Sequence, residues 1–172
     1  MAGKRIAVTG TPGVGKTAFC ASSSFKSVTV LELAKKHDCL GDIDTTDGAA
    51  PIDITRLNSI VEWPNGDVVL IDGHLSHLLP VDAAIVIRCH PSTLTERLSK
   101  RDYSKEKIEE NIECELIGVI SAECLELPFI ELDSGHQIES LIEDAEGWIT
   151  DGFKPRRPNE GIDWIAQIHG ED

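Results

Sequence analysis

Residues 10–17 read Gly10, Thr11, Pro12, Gly13, Val14, Gly15, Lys16 and Thr17, a full match to the pattern G-x-x-x-x-G-K-[ST]. The run follows the apolar, β-branched stretch Ile6, Ala7, Val8 and Thr9 and precedes a segment of helical period. This placement restricts the fold more than any other feature of the chain. Glycines between a strand and a helix let successive backbone N–H groups turn inward around an anion, and the helix start adds its positive dipole end. In that chemistry the lysine reaches the β- and γ-phosphates of a nucleoside triphosphate, and the hydroxyl of the next residue ligates Mg²⁺. Lys16 and Thr17 are the first functional candidates, with Gly10, Pro12, Gly13, Val14 and Gly15 forming the loop around the phosphates.

The remaining pattern agrees with such a loop. Short β-branched runs at 5–9, 28–31, 68–72, 84–87 and 129–132 alternate with helical periods at 16–23, 31–37, 54–62, 91–100, 104–125 and 137–150. Strands alternating with helices predict an α/β fold, a five-stranded parallel sheet flanked by helices in three layers. Pro91 suits a helix start, since its missing N–H is an orphan donor there anyway. Residues 41–50, rich in Asp, Thr and Gly, read as a mobile loop. The segment 152–172 carries Lys154, Pro155, Arg156, Arg157 and Pro158, which cannot continue a helix, and then an apolar cluster with Trp164. It reads as a tail that docks on a domain formed by residues 1–151.

At 172 residues the chain has room for one ordinary domain with its own core. Its 41% hydrophobic and 27% charged residues exclude a largely disordered chain. The formal net charge of −14 opposes broad capture of nucleic acid or anionic membrane while leaving room for a local basic site. The first residues contain too short an apolar run for a secretory signal or a membrane span, so a cytoplasmic protein without membrane contact is expected. Cys20, Cys39, Cys89, Cys114 and Cys124 show no C-x-x-C spacing, which points to reduced structural thiols.

The apolar run Val68, Val69, Leu70 and Ile71 ends in Asp72. In a parallel sheet the C-terminal strand ends face the ligand crevice, so Asp72 should emerge near the phosphates and share the Mg²⁺ shell with Thr17. His74, two residues on, points to the same side of an extended chain and is suited to ordering a water, touching a phosphate or moving a proton. Further along, Arg88, Arg97, Lys100, Arg101, Lys105 and Lys107 concentrate six cations. Arg97 and Arg101 are four apart, so a helix would present both on one face, where guanidinium groups can neutralise a transferring phosphoryl group.

These segments together resemble the adenylate kinase isoenzyme six family of P-loop NTPases, in its archaeal type. The carrying residues are the loop from Gly10 to Thr17, the element Asp72, Gly73 and His74, and the stretch Arg97 to Lys107 followed by Ile108, Asn111, Ile112 and Glu115. The resemblance spans roughly residues 4–150. It implies a nucleoside monophosphate kinase-like core, a monophosphate-binding region near 28–51 and a short lid near 98–108. ATP contacts are implied for Gly13, Gly15, Lys16, Thr17, Ala18 and, at the lid, Arg101, with His74 as a catalytic helper beside Lys16 and Arg101. Asp102 stands where the family has Gly. Between residues 28 and 53 the only cations are Lys35 and Lys36, so an AMP phosphate clamp falls to another residue, Arg56 being one.

The resemblance therefore implies a Mg²⁺-dependent adenylate kinase and ATPase with ATP and Mg²⁺ as cofactors and AMP as phosphate acceptor. It also implies a role in small ribosomal subunit maturation and rRNA processing. The partner would be a small-subunit ribosomal protein, universal protein eleven, with indirect contact to pre-ribosomal RNA, and the protein itself would be a monomer or weak dimer. The alternative is an assembly ATPase whose nucleotide state controls that partner, AMP phosphorylation being incidental. A guanine-specific switch has no visible source, since no N-K-x-D element is present.

Overall fold

The computed structural model describes residues 3–42, 50–156 and 161–170. Five strands, β1 (Lys4–Thr9), β2 (Lys26–Thr29), β3 (Val68–Asp72), β4 (Ala83–Arg88) and β5 (Phe129–Asp133), form one sheet in the order β2-β3-β1-β4-β5. Every pairing is parallel. All six residues of β4 are buried, as expected where helices cover both faces of a parallel sheet and leave no solvent side for polar residues.

The alternation of side chains along the strands builds two core layers. Ile6, Val8, Leu70, Ile85 and Ile87 point to one face, under α1 (Lys16–Ser22), α4 (Pro91–Ser99) and α7 (Ile138–Thr150). Ala7, Val69, Ile71, Ala84 and Val86 point to the other, under α2 (Val30–Lys36), α3 (Ile54–Ile60) and α6 (Val119–Glu123). Helix α5 (Lys105–Ile117) adds Ile108 and Ile112 to the first layer, and α8 (Trp164–Gly170) buries Trp164. With β1 in the centre, the chain crosses over it between β3 and β4. The connection after β1 leads to the β2 side and the one after β4 to the β5 edge, so the topological switch point, where α/β sheets bind ligands, lies at the C-terminal ends of β1 and β4.

Three local expectations are corrected. The strand read at 28–31 is β2, Lys26–Thr29, and Val30 already opens a helix. Thr29 caps that helix: its side chain accepts from the Glu32 amide at 3.0 Å while Glu32 accepts from the Thr29 amide at 2.7 Å, a reciprocal box that fixes the start. The single helix read at 104–125 is two, because Gly118 adopts φ 69°, a left-handed conformation that ends α5 and starts α6. The helix read at 91–100 ends at Ser99, so Arg101 lies in the turn beyond it and does not share a helical face with Arg97.

The mobile loop read at 41–50 falls mostly outside the described residues; at its edges Leu40 and Ile52 form an antiparallel bridge. Among the described residues no helix is long and apolar enough to cross a membrane.

Candidate functional site

The loop after β1 closes on left-handed glycines, Gly10, Gly13 and Gly15, with φ of 146°, 94° and 114°. Two of them also permit close packing. A Cβ on Gly10 would lie 2.5 Å from the Ile87 carbonyl oxygen of β4, and one on Gly13 would lie 2.9 Å from Leu98 Cδ2 of α4. The loop is therefore seated against both elements, with its backbone shape set before any ligand arrives.

Lys16 folds back over the loop, where Nζ donates to the carbonyls of Gly10 at 2.9 Å and Thr11 at 3.1 Å. Burial lowers its pKa to about 8, partly offset by the Asp72 carboxylate and reinforced by Arg101. It remains a cation near pH 7. Thr17 Oγ1 donates to Asp72 Oδ2 at 2.9 Å, and Asp72 is buried at the end of β3. A hydroxyl and a carboxylate so close are hard oxygen donors that fit Mg²⁺. Among the described residues no group of three His, Cys, Asp or Glu is assembled to hold a metal alone. Thr17 and Asp72 would hold a magnesium ion, which would supply positive charge beside bound phosphate.

The turn after β3 presses on α2: Gly73 has φ 159°, and a Cβ there would meet Val30 Cγ2 at 2.6 Å. His74 follows on the wall of the cleft, its carbonyl accepting from Thr9 Oγ1 at 3.3 Å. Burial depresses the imidazole pKa first, and the cations of Lys16 and Lys107 with His77 depress it further. A neutral ring at pH 7 can accept a proton.

From the facing side, Arg97 of α4 donates to the Val14 carbonyl at 2.9 Å and the Gly13 carbonyl at 3.3 Å, pinning the loop from outside. Arg101 and Lys107 flank the Tyr103 ring, 6.0 and 4.5 Å from its centroid. Loop and cations enclose a cleft of about 940 Å³, whose opposite wall is Ala50, Pro51 and Ile52. Pro12, Gly13, Gly15, Lys16, Thr17, Ala18, His74 and Arg101 all line it, whereas Gly10, Val14 and Asp72 lie behind the surface.

Arg88 does not belong with these cations. It is 3% exposed and paired with Glu115 at 2.9 Å and Glu131 at 2.6 Å, because a strand-end residue of the fully covered β4 points into the second layer, not into the crevice. Arg56 is also turned away, donating to the Asp38 carbonyl at 2.6 Å.

Three residues carry more of the site than the sequence reading assigned them. Glu115 accepts from Thr11 Oγ1 of the loop at 2.8 Å. Asn111 lines the cleft with an amide Nδ2 that has no hydrogen-bond partner among the described residues. His77 is bonded through Nδ1 to Thr9 Oγ1 at 2.8 Å and faces Glu123 at 3.4 Å. The spacing Lys107, Asn111 and Glu115 was the available signal for the first two, since residues four apart share a helical face.

The family model of the AAA domain matches residues 6–118. The chain is 40% identical over 171 residues to the protein described as "Putative adenylate kinase" of Archaeoglobus fulgidus, spanning 95% of this chain and 93% of that one. A protein of the same description from Pyrococcus abyssi is 40% identical over 175 residues, spanning 96% and 93%. Among solved structures, a shikimate kinase from Bacteroides thetaiotaomicron shares the fold with a TM-score of 0.53 at 14% identity, covering 86% of this chain and 98% of that one. With a match that takes in the phosphate loop, Asp72, the lid cations and Glu115, the chain belongs to the AAA-domain family of P-loop proteins and to the same family as these two relatives.

Proposed function

We propose that this chain is a Mg²⁺-dependent nucleoside monophosphate kinase that transfers the γ-phosphoryl group of ATP to AMP, giving two ADP. The observation that carries the reading is one cleft holding the loop with Lys16, the Thr17 and Asp72 pair beside it, His74, and Arg97, Arg101 and Lys107 opposite. The description of the relatives as adenylate kinases supports the same class. The loop amides and Lys16 bind the β- and γ-phosphates, and to do so Lys16 exchanges the Gly10 and Thr11 carbonyls for phosphate oxygens. Thr17 and Asp72 would hold Mg²⁺, which when bound neutralises charge on those oxygens. Arg101 approaches from the lid, where a guanidinium on the transferring group is worth roughly 10³–10⁵ in rate in this chemistry. His74 and the Asn111 amide, which has no partner among the described residues, orient the acceptor or a water. No covalent intermediate is needed, because phosphoryl transfer is positioning plus charge stabilisation.

Incubation with Mg²⁺, ATP and each nucleoside monophosphate, followed by chromatography of the products, tests the reading. Two ADP should form for each ATP lost when AMP is present. Phosphate release indifferent to AMP, as the sole activity, overturns it.

A second reading draws on the acceptor wall, where Ala50, Pro51 and Ile52 offer no cation and Arg56 is engaged elsewhere. In it the chain is an assembly ATPase, and a basic small-subunit ribosomal protein, universal protein eleven, docks on the exposed acids of α5, Glu109, Glu110 and Glu113, with pre-ribosomal RNA touched only indirectly. Capture of that protein should then depend on whether ATP or ADP is bound, and capture indifferent to nucleotide removes the second reading.

A further inference from the structure

A buried carboxylate is costly unless its lone pairs are filled, so the donors that fill them report what the residue holds together. Glu115 is 2% exposed. Its Oε1 accepts from Arg88 Nε at 2.9 Å, the Cys89 amide at 2.9 Å and the Trp164 indole Nε1 at 3.0 Å. Its Oε2 accepts from Thr11 Oγ1 at 2.8 Å. One carboxylate thus joins the end of β4, the phosphate loop and the C-terminal segment, which are far apart in the chain.

Thr11 is a consequential point to hold. Its carbonyl receives both Lys16 Nζ at 3.1 Å and the Val14 amide at 3.3 Å, so its position sets the loop turn and the ammonium together. The C-terminal segment is tied in twice more: the Ile162 carbonyl accepts from Arg88 Nη1 at 3.2 Å and the Ile162 amide donates to Glu131 Oε2 at 2.6 Å. Trp164 itself is 1% exposed, edge-on to His90 at 5.3 Å between ring centroids.

We infer that the segment around Trp164 is a positioning element for the phosphate loop, acting through Glu115 on Thr11. Trp164 touches no reacting atom. Its N–H is one of three donors that fix one Glu115 oxygen, and the other oxygen fixes Thr11. Without that N–H the oxygen keeps only Arg88 and the Cys89 amide, so the carboxylate is held less tightly and its tether on the loop loosens. The inference deepens the nucleotide-binding reading, and its first readout needs no nucleotide.

The test is amide hydrogen exchange of the full chain without ligand, comparing the peptide over residues 10–17 with a reference over residues 26–36, the edge strand β2 and helix α2. Trp164→Phe keeps the packed ring and removes the donor. It should raise exchange in the loop peptide about threefold to tenfold, the range of one hydrogen bond, and leave the reference unchanged. Thr11→Val should do the same, and the double variant should exceed Thr11→Val by less than twofold, because the two changes cut one connection. Unchanged loop exchange in Trp164→Phe, additive effects in the double variant, or a uniform rise that includes the reference overturns the inference. Adding Mg²⁺ and ATP to the wild type then separates the two claims: coupling intact but no protection of the loop removes the nucleotide reading and leaves the positioning role standing.

Discussion

Lys16 is a cation kept where a cation is costly. Its folded pKa of about 8 lies below the ordinary 10.5, so below pH 8 the protein bears the whole cost of burying the ammonium, and the cost fades as the pH rises from about 8 towards 10.5. Lys16→Met should therefore abolish nucleotide turnover yet stabilise the ligand-free protein at pH 7 by roughly 1–3 kcal/mol, with the advantage shrinking up to pH 10. Calorimetry across that range checks the sign. His74 behaves alike on the acid side. Because its folded pKa is depressed below the ordinary 6.5, the unfolded chain takes up protons that the folded one refuses, and stability falls as the pH drops through about 6.5. In His74→Gln the loss of stability between pH 7 and 5 should be shallower, while kcat drops about a hundredfold and ATP affinity stays within about twofold. A matching loss of affinity would mean that the ring binds ATP and has no helper role. At this scale the loop was legible because glycine, lysine and hydroxyl act through local geometry. Glu115 was not, since its worth depends on Thr11, Arg88 and Trp164 meeting across the fold.

The elements followed the sequence where apolar periodicity alone decides them, as in β3 at Val68–Asp72, and departed from it where a single residue changes the backbone. Gly118 is the clearest instance: the apolar pattern runs through it, but a left-handed φ of 69° turns α6 away from α5. Space is not the constraint there, since an added Cβ would lie 3.7 Å from the Arg88 guanidinium. The strain is in the backbone, so Gly118→Ala should cost about 1 kcal/mol in urea titration, with the slope of the transition unchanged. A stability equal to wild type would mean that the two helices can run on as one. Helix α8 escaped the reading for a different reason: its apolar residues read only as a cluster that docks, and what holds it is Trp164 bonded to a carboxylate 49 residues earlier.

Across the whole molecule the net charge of −14 is unevenly spread. Residues 103–146 hold 13 acids and 2 bases, while residues 1–20 hold Lys4, Arg5 and Lys16 with no acid. The structure sharpens the division, since Glu109, Glu110 and Glu113 of α5 are exposed while Lys107 on the same helix lines the cleft. Replacing those three glutamates with lysine should leave phosphoryl-transfer turnover within about twofold and abolish capture of a basic partner, measured at two salt concentrations. Undiminished capture would place the partner elsewhere. This division was half legible: composition exposed the imbalance, but assigning Arg88 to the cleft required the fold to be known, and the fold buries it.

The bond from Glu115 to Trp164 has a consequence in time. During translation Thr11 is made early, and its tether is complete only when roughly 150 further residues have followed. At about 5–20 residues per second, that leaves the nascent loop without its inner anchor for around 8–30 s. Until then the polypeptide carries a phosphate loop by sequence whose shape still awaits its last hydrogen bond.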